Sequence, residues 1–273
     1  MANPIKRGKE SASMRTVAFV NHKGGVGKTA CSLAFAEGLH RAGKRVLLID
    51  LDQQMNASQC VGYRDTEGVE TVYDLLMSGM PATEAAVPAP FGMIVRGDVV
   101  MADAEAELAL LDTPLVMLED ALASVPGEEY DYCVIDCPPS LGYVTRNAMV
   151  AADDLIVVVQ PDEASITGFS RIWESFERIR GNRHLNPDLN LCGILLNGFD
   201  WNRRLSRRAV SELPGFASDF NTRLFDTRIR SCEAIRQAQA HAQSIFEYAP
   251  DSHAAEDFSS FVDEYLEQEG RAA

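Results

Sequence analysis

The stretch KGGVGKT, residues 23–29, limits the folds open to this chain more than any other feature of its sequence. It follows TVAFVN (16–21), an apolar run that predicts a buried strand, and it opens a segment, Lys28–Arg41, that predicts a helix ending before Gly43. Glycines let backbone N–H groups turn inward around phosphate oxygens, and the helix N-terminus adds positive partial charge. This order predicts a phosphate-binding loop, and the alternative is a glycine turn without a ligand.

The loop residues have distinct expected roles. Lys28 is expected to contact the β- and γ-phosphates of a nucleotide, and the Thr29 hydroxyl is expected to coordinate Mg²⁺. His22 stands where the general pattern GxxxxGK[ST] has its first glycine, and Lys23 adds a second lysine five residues before Lys28. The residues of this segment expected to bind the nucleotide are Lys23, Gly24, Gly25, Val26, Gly27, Lys28, Thr29 and Ala30.

The rest of the chain alternates continuous apolar runs with helical segments. The predicted strands are RVLLID (45–50), FGMIVRGD (91–98), YDYCVID (130–136), DLIVVVQ (154–160) and NLCGILLNGF (190–199). An acidic helical region, broken near Pro114, and an acidic amphipathic helix at the end of the chain are also predicted. Continuous apolar strands separated by helices are typical of a parallel sheet covered on both faces. We therefore predict an α/β fold with a single doubly wound, mostly parallel β-sheet and helices on both faces. Residues 1–14 are expected to form a flexible basic arm and residues 15–273 a single domain.

Three aspartates stand at the ends of predicted strands. Asp50 and Asp52 end the run LLIDLDQQ, and Asp136 ends YCVID before the turn made by Pro138 and Pro139. Because ligands bind at the carboxyl ends of parallel strands, these carboxylates are expected beside the phosphate loop. One of the first pair can order the magnesium shell and the other can orient the attacking water, while Asp136 reaches Mg²⁺ through water. Capping or turn-forming aspartates are the alternative for Asp50 and Asp52.

Composition and charge limit the cellular location and the binding partners that can be expected. No apolar run reaches the roughly 18–20 residues of a membrane span, and the polar, basic N-terminus does not resemble a secretory signal, so a cytoplasmic protein is expected. The six cysteines are scattered, and buried free thiols are a better interpretation than a metal cluster. The net charge is −15, yet residues 203–236 hold eight arginines against four acidic residues. That arginine-rich window is a candidate contact surface for a polyanion, with a solvated face as the alternative.

The segments KGGVGKT, DLDQQ and DCPPSLGYVTRNAMVAADDLIVVVQP resemble the ParA family of ATPases, the partition branch of the MinD/ParA superfamily with its deviant Walker-A loop. The resemblance runs from about Arg15 to Glu267 through GILLN (193–197) and SIFEYAPDSHAAEDFSSFVDEY (244–265). It implies the deviant P-loop fold, ATP and Mg²⁺ as cofactors, and a weak intrinsic ATPase.

The resemblance also assigns roles to single residues. Lys23 would reach across an ATP-dependent homodimer to the partner's phosphates, and Lys28 and Thr29 keep the ordinary loop roles. Asp52 would position the hydrolytic water, and Asp136 would be the Walker-B acid. Asn197 would read the adenine edge, with a strand-end turn asparagine as the alternative. Lys23, Lys28 and Asp52 are thus the expected catalytic residues, and Thr29, Asp50 and Asp136 the expected metal site.

The family further implies nonspecific binding of double-stranded DNA, nucleoid association, and stimulation by a ParB-like centromere-binding protein, in the service of plasmid or chromosome segregation. The candidate DNA contacts are Arg203, Arg204, Arg207, Arg208, Arg228, Arg230 and Arg236. Four alternatives stay open: a non-DNA cargo, a MinD-like membrane switch, a cluster-carrying reductase, and a synthetase. The acidic C-terminal segment disfavours the membrane switch because an anionic bilayer would repel it, and the placement of Cys133 and Cys137 disfavours the reductase.

Overall fold

The computed structural model describes residues 14–272, apart from the side chains of 163–167 and 271–272. Within that range, eight strands form one sheet in the order β3-β4-β2-β5-β1-β6-β7-β8. The strands are β1 (Arg15–Val20), β2 (Val46–Asp50), β3 (Ala86–Ala89), β4 (Gly92–Val95), β5 (Tyr132–Asp136), β6 (Asp154–Val159), β7 (Asn190–Phe199) and β8 (Leu224–Arg230). All neighbours pair in parallel except β3, which runs antiparallel to β4 at one edge. The predicted mostly parallel α/β sheet is confirmed.

Helices follow most of the strands. They are α1 (Lys28–Arg41), α2 (Asn56–Cys60), α3 (Val72–Ser78), α4 (Ala82–Ala85), α5 (Met101–Leu108), α6 (Met117–Ala123), α7 (Tyr143–Ala151), α8 (Glu163–Arg180), α9 (Arg204–Asp219), α10 (Glu233–Ala240), α11 (Ile245–Tyr248) and α12 (His253–Ala272). Alternate residues of the central strands face opposite sides, so Val17 and Phe19 of β1 pack in one core and Ala18 and Val20 in the other. Both faces of the sheet are thus covered, as a doubly wound fold requires.

Helices α1 and α12 cover the face of the sheet that carries Phe19. Phe35 of α1 packs edge-on against Phe19, with ring centroids 5.3 Å apart, and against Tyr265 of α12 at 5.0 Å. The two helices approach closely at Gly38, where an added Cβ would lie 2.6 Å from Cγ2 of Val262. The predicted C-terminal amphipathic helix therefore forms, and it fixes α1, the helix that begins at the phosphate loop.

The sequence missed two strands. β3 contains Pro88 and lies at the sheet edge, where a missing N–H donor is tolerated. In β8, only Phe225 and Ile229 are buried, so the arginine-rich window lacks the continuous apolar signal of the other strands. The acidic region separates into α5 and α6, with a break that includes Pro114, as expected. Residues 1–13 of the predicted arm lie outside the described residues, so the division at residue 14 stays a prediction.

Candidate nucleotide-binding site

The glycine-rich loop connects β1 to α1 at the carboxyl edge of the sheet. Gly27 precedes α1 with φ +91°, a left-handed backbone that favours glycine. A Cβ on Gly27 would also lie 2.1 Å from the amide nitrogen of Asn197, at the end of β7. Position 27 therefore needs glycine both for its conformation and for the close approach of a neighbouring strand.

The two lysines of the loop have different surroundings. Lys28 is buried, and its Nζ donates to the backbone oxygen of Lys23 at 3.3 Å. Burial lowers the pKa of Lys28, and the nearby carboxylates of Asp136 and Asp52 act in the opposite direction. Lys23 is about one-third exposed and pairs with Asp162, with 2.6 Å between Nζ and Oδ2. The loop thus directs one ammonium group inward and the other toward its rim.

Asp136 stands beside the first turn of α1. Its Oδ2 accepts a hydrogen bond from Thr29 Oγ1 at 2.7 Å, and its Oδ1 is buried without a partner among the described residues. Asp50 lies opposite Asp136 in the pairing of β2 with β5, and it is also fully buried. Burial raises the pKa of Asp136, and the charge of Asp50 raises it further. The site is therefore short of positive charge at the point where a metal ion was predicted.

Asp50 and Asp52 differ in their contacts. Asp50 Oδ2 accepts hydrogen bonds from the Ser58 hydroxyl at 2.7 Å and from the Ser58 backbone at 2.9 Å. Ser58 Oγ accepts in turn from the backbone N–H of Gly97, so it connects Asp50 to the loop after β4. Asp52 lines the open cavity over the phosphate loop, where a water-positioning side chain has to stand. Both assignments stay predictions.

Asn197 reaches the phosphate loop from β7. Its Nδ2 donates to the backbone oxygen of Val26 at 2.7 Å, and its side chain lies in the wall of the same cavity. The amide therefore supports the loop; its predicted contact with adenine remains a prediction. A matching contact comes from Gln160, whose Nε2 donates to the oxygen of Gly25 at 3.1 Å.

Four residues that support the loop and its acids were missed from the sequence: Asn21, Ser58, Gln160 and Asp162. Asn21 is buried, donates from Nδ2 to the oxygen of Val158 at 2.6 Å, and accepts from the backbone N–H of Lys23 at 2.9 Å. A polar residue at the end of an apolar strand was the available signal for Asn21. Each also contacts a residue far away in the sequence, and no local pattern reports such a contact.

The cavity over the loop combines residues from several strand ends and from α10. Its walls include Gly24, Gly25, Gly27, Lys28, Thr29, Ala30, Asp52, Pro139, Gln160, Asn197, Arg230, Ser231, Cys232 and Arg236. The structure thus brings the predicted phosphate-binding residues together at one edge of the sheet.

Comparisons with known proteins agree with this geometry. A family model described as an AAA domain matches residues 14–191. The chromosome partitioning protein ParA of Myxococcus xanthus is 31% identical over 257 residues, which cover 93% of this chain and 89% of that protein. The sporulation initiation inhibitor protein Soj of Bacillus subtilis is 33% identical, over 89% of this chain and 94% of that protein. The chain belongs to the ParA family of P-loop ATPases.

A solved structure supports the same fold. The cobyrinic acid a,c-diamide synthase of Mycobacterium smegmatis, crystallised with ADP and magnesium, superimposes with a TM-score of 0.81 at 27% identity, over 95% of this chain and 97% of that one. The protein is accordingly an ATPase that uses ATP and Mg²⁺.

The residues present in this ParA-family site fit those cofactors. The glycine loop and the start of α1 offer backbone N–H groups to phosphates, and Lys28 adds a buried ammonium group. Thr29 Oγ1 and the unpartnered Oδ1 of Asp136 are oxygen donors of the kind that Mg²⁺ prefers. Magnesium would neutralise the buried acids and polarise the phosphates. Among the described residues, no group of three or more His, Cys, Asp or Glu side chains could hold a metal by itself.

The candidate DNA-binding arginines of this ParA-family chain occupy two regions. Arg203, Arg204, Arg207 and Arg208 lie exposed at the start of α9. Arg230 and Arg236 instead line the nucleotide cavity, and Arg230 donates to both carboxylate oxygens of Asp257. Arg228 stacks over the ring of Phe199 at 5.8 Å. All seven stay predicted DNA contacts. The four arginines at the start of α9 are both exposed and close together in the sequence.

Two further observations concern the alternatives of a cluster-carrying reductase and a membrane switch. Cys133 and Cys137 are buried free thiols, as expected, and burial raises the pKa of both, so neither favours the thiolate that ligates a cluster. Among residues 14–272, no helix combines the length and apolar character needed to cross a bilayer.

Proposed function

We propose that this ParA-family ATPase is a dimerising switch that partitions DNA. ATP binding joins two copies, the dimer binds DNA without sequence preference, and a ParB-like partner stimulates hydrolysis and release. The observation that carries the proposal is the second lysine: Lys23 lies at the rim of the loop, about one-third exposed and paired with Asp162, while Lys28 occupies the interior. A single nucleotide needs one interior lysine, so we assign the rim lysine to a nucleotide bound by another copy.

Two features support DNA as the polyanion. Four arginines are exposed over one and a half turns at the start of α9, and Trp201 beside them is 58% exposed. Arginine suits bidentate contact with phosphates. The relatives also carry names that refer to chromosome partitioning. Nucleoid association in the cytoplasm, plasmid or chromosome cargo, and a ParB-like activator belong to the same proposal.

The hydrolytic step is proposed to be slow without the partner. Asp52 stands at the cavity wall, and its Oδ1 accepts a hydrogen bond from the backbone N–H of Gln54 at 2.9 Å, which supports its proposed role in orienting water. Asn197 would approach the base, and Thr29, Asp50 and Asp136 would surround the metal.

The dimerisation half is tested with two lysine variants. Analytical ultracentrifugation with a non-hydrolysable ATP analogue should show a dimer for the native protein and a monomer for Lys23→Ala. The Lys23→Ala protein should still gain thermal stability from the nucleotide, whereas Lys28→Ala should lose both responses. A Lys23→Ala protein that dimerises like the native one would refute the cross-subunit role.

The DNA half is tested by salt dependence. Retention on nonspecific duplex DNA should need ATP, and each phosphate contact should contribute a slope of about −0.9 to log K against log salt. The double variant Arg204→Ala/Arg208→Ala should reduce that slope by about 2, while the matched pair Arg178→Ala/Arg183→Ala, on and just after α8, should leave it unchanged. Binding that needs no ATP, or that does not respond to salt, contradicts the proposal.

A second candidate is ATP-dependent amide synthesis, which the name of the superimposed Mycobacterium smegmatis structure favours. Under that function, the ATPase rate would respond to a carboxylic acid with ammonia or glutamine and ignore DNA. Measuring the rate with DNA and a ParB-like protein, and separately with those substrates, distinguishes the two functions.

A further inference from the structure

A second, mostly apolar cavity adjoins the nucleotide cavity along α1. Its walls come from α1, the end of α2, the turn between β3 and β4, and helices α10 to α12. The apolar lining includes Leu33, Ala34, Val61, Phe91, Ala238 and Phe258. We call this space the α1 cavity. Its volume is about 40 Å³, and roughly 10–15 Å³ holds one water, so a ligand of about three heavy atoms fits.

One ionisable side chain stands in that apolar wall. Glu37, on the same face of α1 as Leu33 and Ala34, is only 6% exposed. Its Oε2 has no hydrogen-bond partner among the described residues. A buried carboxylate oxygen without a partner costs free energy unless something satisfies it. Glu37 therefore destabilises the protein when no ligand donates a hydrogen bond to its Oε2.

Among the described residues, no side chain forms an ion pair with Glu37 within 4.0 Å. Arg41, one turn along α1, stacks over the ring of Phe246 at 5.1 Å. Glu247 of α11 adds a like charge, and together with burial it raises the pKa of Glu37, while Arg41, His40 and a hydrogen bond from Ser244 act in the opposite direction. A hydrogen-bond donor that enters the α1 cavity would contact apolar walls and one carboxylate. The terminal torsion of Glu37 rotates easily, so either carboxylate oxygen can accept from that donor.

We propose that the α1 cavity binds a small primary amine, with its ammonium group on Glu37 and its alkyl body against Leu33, Ala34 and Phe258. Charge complementarity selects the amine, because an ammonium group donates to the unpartnered oxygen and neutralises the buried charge. The walls contain no second acidic side chain. The two cavities share Ala30, Cys60, Ile235 and Gln239, yet Glu37 and Phe258 belong to the α1 cavity alone.

The test uses ethylamine, with ethanol as the uncharged probe of matching shape. Binding to the full chain is followed through the amide resonances of isotope-labelled protein. A three-atom ligand with good contacts is expected to bind with a Kd of about 10 mM. The shifts should concentrate at Ala34 and Ala238, and ethanol should bind at least about tenfold more weakly, a difference of 1.4 kcal/mol.

Substitutions in the α1 cavity distinguish amine binding at Glu37 from weak binding elsewhere on the protein. Glu37→Gln should weaken ethylamine binding about tenfold or more, and Ala34→Leu, which fills the cavity, should remove it. Glu247→Gln, which changes the neighbouring acid outside the cavity wall, is the matched control and should leave the Kd within about threefold. If Glu37→Gln does not fold, Ala34→Leu and the amine–alcohol comparison on the native protein still decide the matter.

Three results would overturn the proposal. They are equal affinity for the amine and the alcohol, absence of saturable shifts at about 100 mM amine, and complete displacement of the amine by Mg·ATP, which would place it in the nucleotide cavity. None depends on whether the ATPase dimerises or binds DNA, so this site and the proposed function can fail separately.

Discussion

Replacing Asp136 with asparagine should stabilise the nucleotide-free protein while removing its response to Mg·ATP. Asp136 is fully buried, faces Asp50 across the β2–β5 pairing, and leaves Oδ1 without a partner among the described residues. Asparagine has nearly the same shape, keeps an oxygen for the hydrogen bond from Thr29, and carries no charge. The variant removes the electrostatic cost but also an oxygen that the magnesium ion needs.

The size of the effect follows from the proton affinity. Burial and Asp50 raise the pKa of Asp136 well above its ordinary value of 3.8, and each tenfold change in proton affinity corresponds to about 1.4 kcal/mol. Asparagine also introduces an unpaired NH₂ group, which offsets part of the gain, so we expect a net stabilisation of about 2 kcal/mol. For a chain of this length, the melting temperature would rise by roughly 4–8 °C.

The effect should depend on pH with a definite sign. Because the folded-state pKa of Asp136 lies above the unfolded one, its contribution to stability is complete at pH values below the unfolded pKa. That contribution is lost as the pH rises through the folded pKa. The stability of the native protein relative to Asp136→Asn should therefore decrease as the pH rises from about 5 to about 8.

The assay is thermal unfolding with EDTA, and again with Mg·ATP, across that pH range. The native protein should gain stability from Mg·ATP, and Asp136→Asn should gain little. Asp154→Asn is the matched control, since Asp154 is equally buried but accepts from Arg15 Nε and from Tyr265 OH, each at 2.7 Å. That control should be destabilised. A lower melting temperature for Asp136→Asn at pH 8, or an unchanged Mg·ATP response, would refute the reasoning.

Three further substitutions have defined outcomes. Lys28→Ala should abolish stabilisation by Mg·ATP in thermal unfolding, because it removes the buried ammonium group of the loop; an unchanged nucleotide response would show that Lys28 does not contact the phosphates. Gly27→Ala should weaken nucleotide binding, measured by fluorescence titration, because the left-handed backbone and the Asn197 amide both oppose a Cβ; native affinity would contradict that geometry. Gly38→Ala should lower the free energy of unfolding by roughly 1–3 kcal/mol in urea titrations through its contact with Val262, with nucleotide affinity kept. A Gly38→Ala protein as stable as the native one would mean that α1 and α12 separate easily.

The central strands were predictable because their residues carry the signal themselves. A strand buried on both faces needs apolar side chains at every position, so TVAFVN and DLIVVVQ identify strands without knowledge of their neighbours. The edge strands escape this reasoning. β8 buries Phe225 and Ile229 alone, and apart from Leu224 its remaining positions are polar because they meet solvent or charged partners of α12.

Charge counts along the sequence do not show which arginines are paired with acidic residues from other parts of the chain. The arginine-rich window suggests one basic surface, but Arg230 donates to Asp257 and Glu256, which lie on α12 more than twenty residues later. Arg236 pairs with Glu233 on its own helix. Arg208 also pairs, with Glu212, at an exposed site where such pairs contribute little and exchange readily. Only the folded chain distinguishes Arg230 and Arg236, which line the nucleotide cavity, from the arginines at the start of α9.

The two loop lysines show what motif and structure contribute together. Five residues apart in sequence, they differ in burial because Gly25 and Gly27 turn the backbone through left-handed conformations between them. Lys28 then begins α1 and points into the cavity, while Lys23 follows Asn21, whose side chain fixes the Lys23 N–H and holds the loop to β6. Asp162 neutralises the Lys23 ammonium group at the rim, so a transfer of Lys23 to a partner's nucleotide has to break an ion pair of 2.6 Å. Because both side chains are about one-third exposed, water screens that pair and its loss costs little, on the order of 1 kcal/mol or less. The triphosphate carries several negative charges against the single charge of Asp162, so the balance of charge favours transfer only when ATP occupies the other site. The rim position of Lys23 is thus consistent with a lysine that changes partners, which a second interior lysine could not do.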